Sequence, residues 1–156
     1  MRVKGNVQGD FKGESLSKAW QDWIPSFSYN SELIAPRDIA SGLATGKRMY
    51  KPITIVKEWG DATPQFYTAL ATNEILKLVE FDFVKKNMIG QEYVYFKITL
   101  TNALVSDTRM FKNMQVNTQN SGYNELPELQ EVSFTFQSIK IESLHANVLF
   151  MDTWVR

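Results

Sequence analysis

Val94, Phe96, Ile98 and Leu100 alternate with Tyr93, Tyr95, Lys97 and Thr99, the period of two that sends successive side chains to opposite faces of a strand. Val132, Phe134 and Phe136 alternate with Ser133, Thr135 and Gln137 in the same way. The clearest strands are therefore Leu76 to Lys86, Glu92 to Asn102 and Val132 to Ile141, each with one apolar and one polar face. Such one-sided strands fit an antiparallel sandwich or barrel. Between Leu76 and Phe83 the apolar set shifts from Leu76 and Leu78 to Val79, Phe81 and Phe83, which predicts a bulge. Met88 to Gln91 reads as a hairpin turn. Lys112 to Gln130, with Asn-Ser-Gly at Asn120 to Gly122, reads as a long loop, and Asn147 to Trp154 as a final strand.

The first half of the chain is less regular. Arg2 to Gln8 reads as a short strand before a turn around Gly9 to Gly13. Ala19 to Tyr29 reads as another, on which Trp20 and Trp23, three apart, face opposite sides and Pro25 marks a bulge, a bend or an edge. Pro52 to Lys57 is strand-like. Thr63 is placed to cap a helix with Pro64 at its first position, and Phe66, Ala69, Leu70 and Asn73 then share one face. Ser31 to Lys47 shows no period at all. A polar loop of that length, with Pro36, Gly42 and Gly46, is long for a compact domain, and its Ile34, Ile39 and Leu43 call for a buried partner.

At 156 residues the chain has the length of a single domain, 1–156, able to bury one core. Seventeen basic side chains balance seventeen acidic ones, so the field that draws proteins onto nucleic acid or anionic lipid is missing at the level of net charge. The chain has no cysteine, which excludes a disulfide, a thiolate nucleophile and a thiolate metal site. Stability independent of redox state suits a protein that works on both sides of a membrane. The first residues lack the apolar core of a secretory signal, and the longest apolar run, Val148 to Met151, is far too short to span a bilayer. The expectation is a soluble cytoplasmic protein without stable membrane insertion, exported, if at all, without a cleavable signal.

The residues that could carry chemistry are few. His145, the only histidine, stands alone after a strand, so a two-histidine metal site is excluded. Gly46-Lys47 resembles the end of a phosphate loop, but Ser41 and Arg48 occupy the places where that motif needs Gly and Ser or Thr. Glu80 and Asp82 share a strand face, a geometry open to a glycosidase pair or calcium ligands, and equally to an ordinary solvated face. Lys47, Arg48 and Lys51 around Tyr50 make a weak nucleic-acid footprint and suit carboxylates of a neighbouring subunit at least as well. Trp20, Trp23 and Trp59 leave a carbohydrate-binding module as an alternative. No catalytic residue, cofactor or metal is expected.

An ordered series of segments is more specific than any of these. Lys12-Gly-Glu-Ser15, Ala44 to Lys57 (Ala-Thr-Gly-Lys-Arg-Met-Tyr-Lys-Pro-Ile-Thr-Ile-Val-Lys), Thr63-Pro64, Ala69-Leu70, Tyr95 to Ser106 and Glu131-Val-Ser-Phe134 together resemble the Hcp family, the haemolysin-coregulated tube proteins of bacterial type VI secretion. The similarity runs from about Lys12 to Trp154. The resemblance implies a mainly β protein: an antiparallel β-barrel with one short lateral α-helix, assembling as hexameric rings that stack into a hollow tube. It also implies a contractile sheath, a trimeric spike and small effectors in the lumen as partners, and residence in the cytoplasm before firing and outside it afterwards. A related contractile injection particle or phage tail is the alternative setting. By the same resemblance the loop from Ser31 to Lys47 is a ring-stacking element, with Ile34, Pro36, Ile39, Gly42, Leu43 and Gly46 as candidate residues, and Lys47 and Arg48 are candidate subunit contacts. A loop folded back over its own barrel is the competing arrangement. No role carries over to the segment after Met110 or to Asp152 to Trp154, where such proteins vary.

Overall fold

The computed structural model describes residues 1–116 and 123–154. Its elements are β1 (Arg2–Gly5), β2 (Ser28–Asn30), β3 (Leu33–Ile34), β4 (Met49–Tyr50), β5 (Ile53–Glu58), α1 (Ala62–Thr72), β6 (Leu76–Lys86), β7 (Glu92–Val116), β8 (Tyr123–Thr135), β9 (Ser138–Ser143) and β10 (Val148–Thr153). The described strand pairs are all antiparallel.

The long strand β7 organises the fold. Its first half pairs with β6 on one side and β9 on the other, and its second half, from Leu104 on, pairs with β8. Two half-sheets result, β10-β9-β7-β6-β1 and β7-β8-β5-β2. They close over one core in which Val3, Val79, Phe81, Ile98, Leu100 and Ile139 meet Ile53, Ile55, Val105, Val132 and Phe134. Helix α1 plugs one side with Phe66, whose ring meets Phe11 edge-on at 5.1 Å and Phe134 at 6.0 Å. The barrel stays open between β2 and β6, which are not paired.

The expected bulge lies in β6. Against β1 the register slips between Lys4 and Gly5, so that Lys77 is the extra residue and Leu76 and Val79, three apart, are both buried. Strand β7 keeps its register with β6 through this point, Leu76 to Ala103 and Leu78 to Thr101, and between those two β7 residues stands Asn102, whose φ of 50° is left-handed, a conformation that asparagine tolerates better than most residues. The Asn102 side chain then donates to Gln137 Oε1 at 2.7 Å.

Four expectations need correction. Ala19 to Tyr29 is not one strand: Lys18–Trp20 forms a 3-10 turn and only Ser28–Asn30 pairs. Trp20 and Trp23 therefore do not face apart but stack edge-to-face at 5.2 Å. Val132 to Ile141 breaks at Phe136, where the chain turns the corner from one half-sheet to the other. Lys112 to Gln130 is not a loop, because β7 runs on to Val116 and β8 starts at Tyr123, in register with it; the Asn120 to Gly122 turn lies outside the described residues.

The helix also starts earlier than Thr63. Asp61 precedes its first residue, and the N–H of Ala62 is capped from 48 residues away by Glu14 Oε1 at 2.9 Å. Thr63 turns inward instead, accepting from the Gly60 N–H at 3.1 Å and donating to Gln130 Oε1 at 2.9 Å. Phe66 and Ala69 are buried and Leu70 half-buried as the spacing predicts, while Asn73 is exposed and ends the helix in the left-handed conformation.

Candidate functional site

Ser31 to Lys47 is an arm, with more order than its sequence suggests. Its root is the two-residue pairing of β3 with β4, and higher up Arg37 bridges Ala44 while Thr45 N–H donates to Pro36 O at 3.0 Å. The tip is a turn held by Asp38. Its carboxylate accepts from Ala40 N–H at 2.9 Å and from Ser41 Oγ at 3.0 Å, and these donors hold its pKa below the ordinary value. Gly42 sits at φ +69° with nothing near its missing Cβ, so the turn requires glycine for conformation and not for space. The turn lifts Ile39 wholly into solvent and leaves Leu43 69% exposed. In the isolated chain the tip does not pack back over its own barrel. Ile34 and Pro36 lie half-buried lower down, with Pro36 against Gly46.

The root is clamped to the far end of the chain. Arg48 forms a two-pronged ion pair with Asp152 of β10, and Tyr50 Oη donates to the same carboxylate at 2.7 Å. These hydrogen bonds, Arg48 first, hold the Asp152 carboxyl down to about 2, whereas burial and then the Asp152 carboxylate push the Tyr50 phenol up to about 12. The Tyr50 ring meets Phe136 at 5.1 Å and Trp154 at 5.8 Å. A second brace joins Lys51 to Glu32 at 2.8 Å. Of the two candidate subunit contacts, Arg48 thus has its carboxylate within its own chain, and Lys47 makes no ion pair among the described residues. No local signal in the sequence announces a clamp between positions 104 residues apart.

The second surface is the polar face of the β10-β9-β7-β6-β1 half-sheet. Arg2 lies 3.2 Å from Glu80, and Lys97 lies 3.6 Å from Glu80 and 3.5 Å from Asp82. Lys140 pairs with Glu142 at 2.7 Å one strand over. Glu80 and Asp82 are therefore an ion ladder, more buried than a solvated face, and burial pushes the Asp82 carboxyl up against the pull of Lys97. At the edge of this half-sheet Val148, Leu149, Phe150 and Met151 of β10 are all exposed. Such an apolar edge with an unpaired row of backbone groups is an aggregation hazard unless something covers it.

The remaining candidates do not converge. His145 lies exposed in the turn between β9 and β10. Gly46-Lys47 leads into a strand, not into the helix N-terminus that a phosphate loop supplies. Trp20 donates to Glu92 Oε2 and Trp59 to Leu129 O, both at 2.8 Å. The Trp20 and Trp23 planes stand 87° apart, so these two do not form a flat platform.

One residue with no expectation attached to it organises the interior. Lys57 occupies the third inward position of β5 after Ile53 and Ile55 and is fully buried. Its ammonium reaches Glu14 Oε1 at 3.1 Å, Thr63 Oγ1 at 3.2 Å and Glu58 O at 2.5 Å. Burial pushes its pKa below the ordinary value, with Glu14 opposing. The signal was an apolar period broken by a charge.

The chain is thus an open β-barrel with a lateral helix, a protruding apolar arm and an uncovered apolar sheet edge. Over residues 1–142 the chain matches the family model described as "Type VI secretion system effector, Hcp". It is 30% identical over 148 residues to the Major exported protein of Pseudomonas aeruginosa, covering 89% of this chain and 84% of that protein. Among solved structures, one described as an Hcp protein superposes with a TM-score of 0.86 at 23% identity, over 98% of this chain and 96% of the other. Hcp1 from E. coli superposes with a TM-score of 0.80 at 26% identity, over 99% and 96%. The chain belongs to the Hcp family of type VI secretion.

Proposed function

We infer that this protein is the tube subunit of a bacterial type VI secretion system, in which six copies form a ring and rings stack into a hollow tube. The observation that carries the reading is the combination of the family match with two exposed apolar surfaces, the arm tip at Ile39 and Leu43 and the β10 edge from Val148 to Met151. A sheet whose two edges, β10 and β6 with β1, are both open joins head-to-tail to identical copies, and such a heterologous contact leaves no free edge once the ring closes. The body of the subunit, with α1, lies on the core side of that sheet. A ring of wedges therefore turns the opposite face, with Arg2, Glu80, Lys97, Lys140 and Glu142, toward the lumen. The arm then serves the axial contact, with Ile39 and Leu43 burying against the next ring, Ile34, Pro36, Gly42 and Gly46 shaping it, and Lys47 and Arg48 near the subunit boundary.

On this reading the protein acts mechanically and does no chemistry. A contractile sheath surrounds the tube, a trimeric spike tips it, and small effectors travel in the lumen. The subunit waits in the cytoplasm and is exported on firing.

The test is deletion of Ile39 to Ala44. Negative-stain microscopy of the variant is expected to show rings without tubes, and culture medium to lose the protein. Long tubes from the deletion variant overturn the stacking role of the arm.

A further inference from the structure

The gap in the barrel wall is itself a site. Among the described residues strand β2 pairs only with β5, and beyond Glu80, the last residue in register with β1, β6 pairs only with β7. Between them lies a cleft of about 440 Å³ whose walls include Trp20, Trp23, Phe27, Tyr29, Phe83 and Val84. A dry apolar cavity of about 150 Å³ holds benzene, so this cleft has room for a benzyl side chain. Tyr29 and Asp82 also line it, the first meeting Phe81 and Phe83 edge-on at 5.1 and 5.4 Å and the second 3.5 Å from Lys97 Nζ.

The chain carries a matching plug on its opposite edge. Registers across the sheet run Phe150 to Ile141, Ile141 to Ile98 and Ile98 to Phe81, so Phe150 stands on the same face as Phe81, the face turned to the core. In its own subunit Phe150 is 45% exposed at the sheet edge. A second copy that adds its β10 to the open edge of β6, with the two ion-ladder faces continuous, carries its Phe150 to the cleft side of the sheet. Strand addition of this kind draws affinity from the backbone and specificity from pockets for alternate side chains.

We propose that the aromatic cleft between β2 and β6 is the socket for Phe150 of an adjacent copy of this chain. The proposal rests on the ring reading above and adds to it the residue pair that closes the lateral contact. Because aromatic side chains seated in desolvated pockets are typical interface hot spots, the contact is also where ring stability concentrates.

The absence of cysteine makes a clean test possible. The variant Val148→Cys/Val84→Cys keeps Phe150 and puts one thiol beside it on the exposed plug strand and one on the exposed rim of the socket, and Val148→Cys/Val7→Cys moves the second thiol to an exposed site outside the cleft. Wild-type assembly is measured by native mass spectrometry, and the variants are treated with a short bismaleimide and run on denaturing gels. The proposal expects a covalent ladder up to six chains from the first pair and none from the second. Rings without that ladder, or equal ladders from both pairs, overturn the socket and leave the ring reading standing. A wild-type protein that stays monomeric at every concentration removes both. Phe150→Ala, a surface truncation that leaves the core intact, gives a second readout. It is expected to weaken ring association about thirty-fold, the factor that a hot spot of about 2 kcal/mol corresponds to, and unchanged association overturns the proposal.

Discussion

Replacing Lys57 with methionine isolates the interior polar network from everything else in the molecule. Methionine keeps the length of the side chain and suits the position by polarity, between β5 and the start of α1. On a simple hydrophobic count the substitution is harmless. The structure argues otherwise, because the ammonium is fully buried and is the cation facing Glu14 at 3.1 Å. Glu14 cannot swing out freely, since its Oε1 also caps Ala62 N–H at 2.9 Å. Removing one partner of a buried pair leaves an uncompensated charge and costs about 3–5 kcal/mol, out of about 5–15 kcal/mol for a whole domain. At about 2–4 °C per kcal/mol for a chain of this size, Tm falls by about 6–20 °C. The assay is thermal and urea unfolding followed by far-UV circular dichroism at one fixed protein concentration, because self-association also contributes to apparent stability. The double variant Lys57→Met/Glu14→Gln neutralises both partners and keeps an oxygen for the Ala62 N–H. It is expected to recover at least about 1 kcal/mol of the single variant's loss. A Lys57→Met protein as stable as wild type, or a double variant no better than the sum of the two single changes, refutes the reasoning.

Gly60→Ala tests the same region by volume, since an added Cβ meets Glu14 Cδ at 2.5 Å; it is expected to cost about 1–3 kcal/mol in urea unfolding, and a neutral result shows that Glu14 moves aside. Ile39→Asp and Leu43→Asp leave the monomer's melting temperature within about 1 °C, as surface changes do, yet abolish tubes in electron micrographs. The arm root depends on pH with a definite sign. The Asp152 carboxyl is lower in the folded protein, about 2, than its ordinary value near 3.8, so its stabilising contribution is complete above pH about 4 and is lost as pH falls toward 2. Limited proteolysis of the arm is expected to accelerate across that window in wild type, whereas Asp152→Asn cleaves at one faster rate throughout; a flat wild-type profile excludes the clamp.

Sequence alone determined the strands whose packing faces are one-sided. Val94 to Leu100 and Val132 to Phe136 announce their period because each buries one face against one core, and the helix from Pro64 is legible for the same reason. The ordered Hcp-like segments carried the family, and the shift between Leu78 and Val79 carried the bulge. The arm's apolar tip could be read from Ile39 and Leu43 standing in a polar loop.

Tertiary structure decided what depends on partners distant in the chain. Whether β7 stops at Asn102 or continues to Val116 rests on pairing with β8, not on its own pattern, so the second half of that hairpin looked like a loop. Ala19 to Tyr29 has the aromatic content of a strand, but Trp20 and Trp23 stack on each other around a 3-10 turn. The clamp of Arg48 and Tyr50 onto Asp152 and the burial of Lys57 against Glu14 join residues that no local spacing relates. Alternation records which way a side chain points, because that is fixed by the backbone within a few residues. What it points at is set by closure of the sheet, and only the folded chain contains that information.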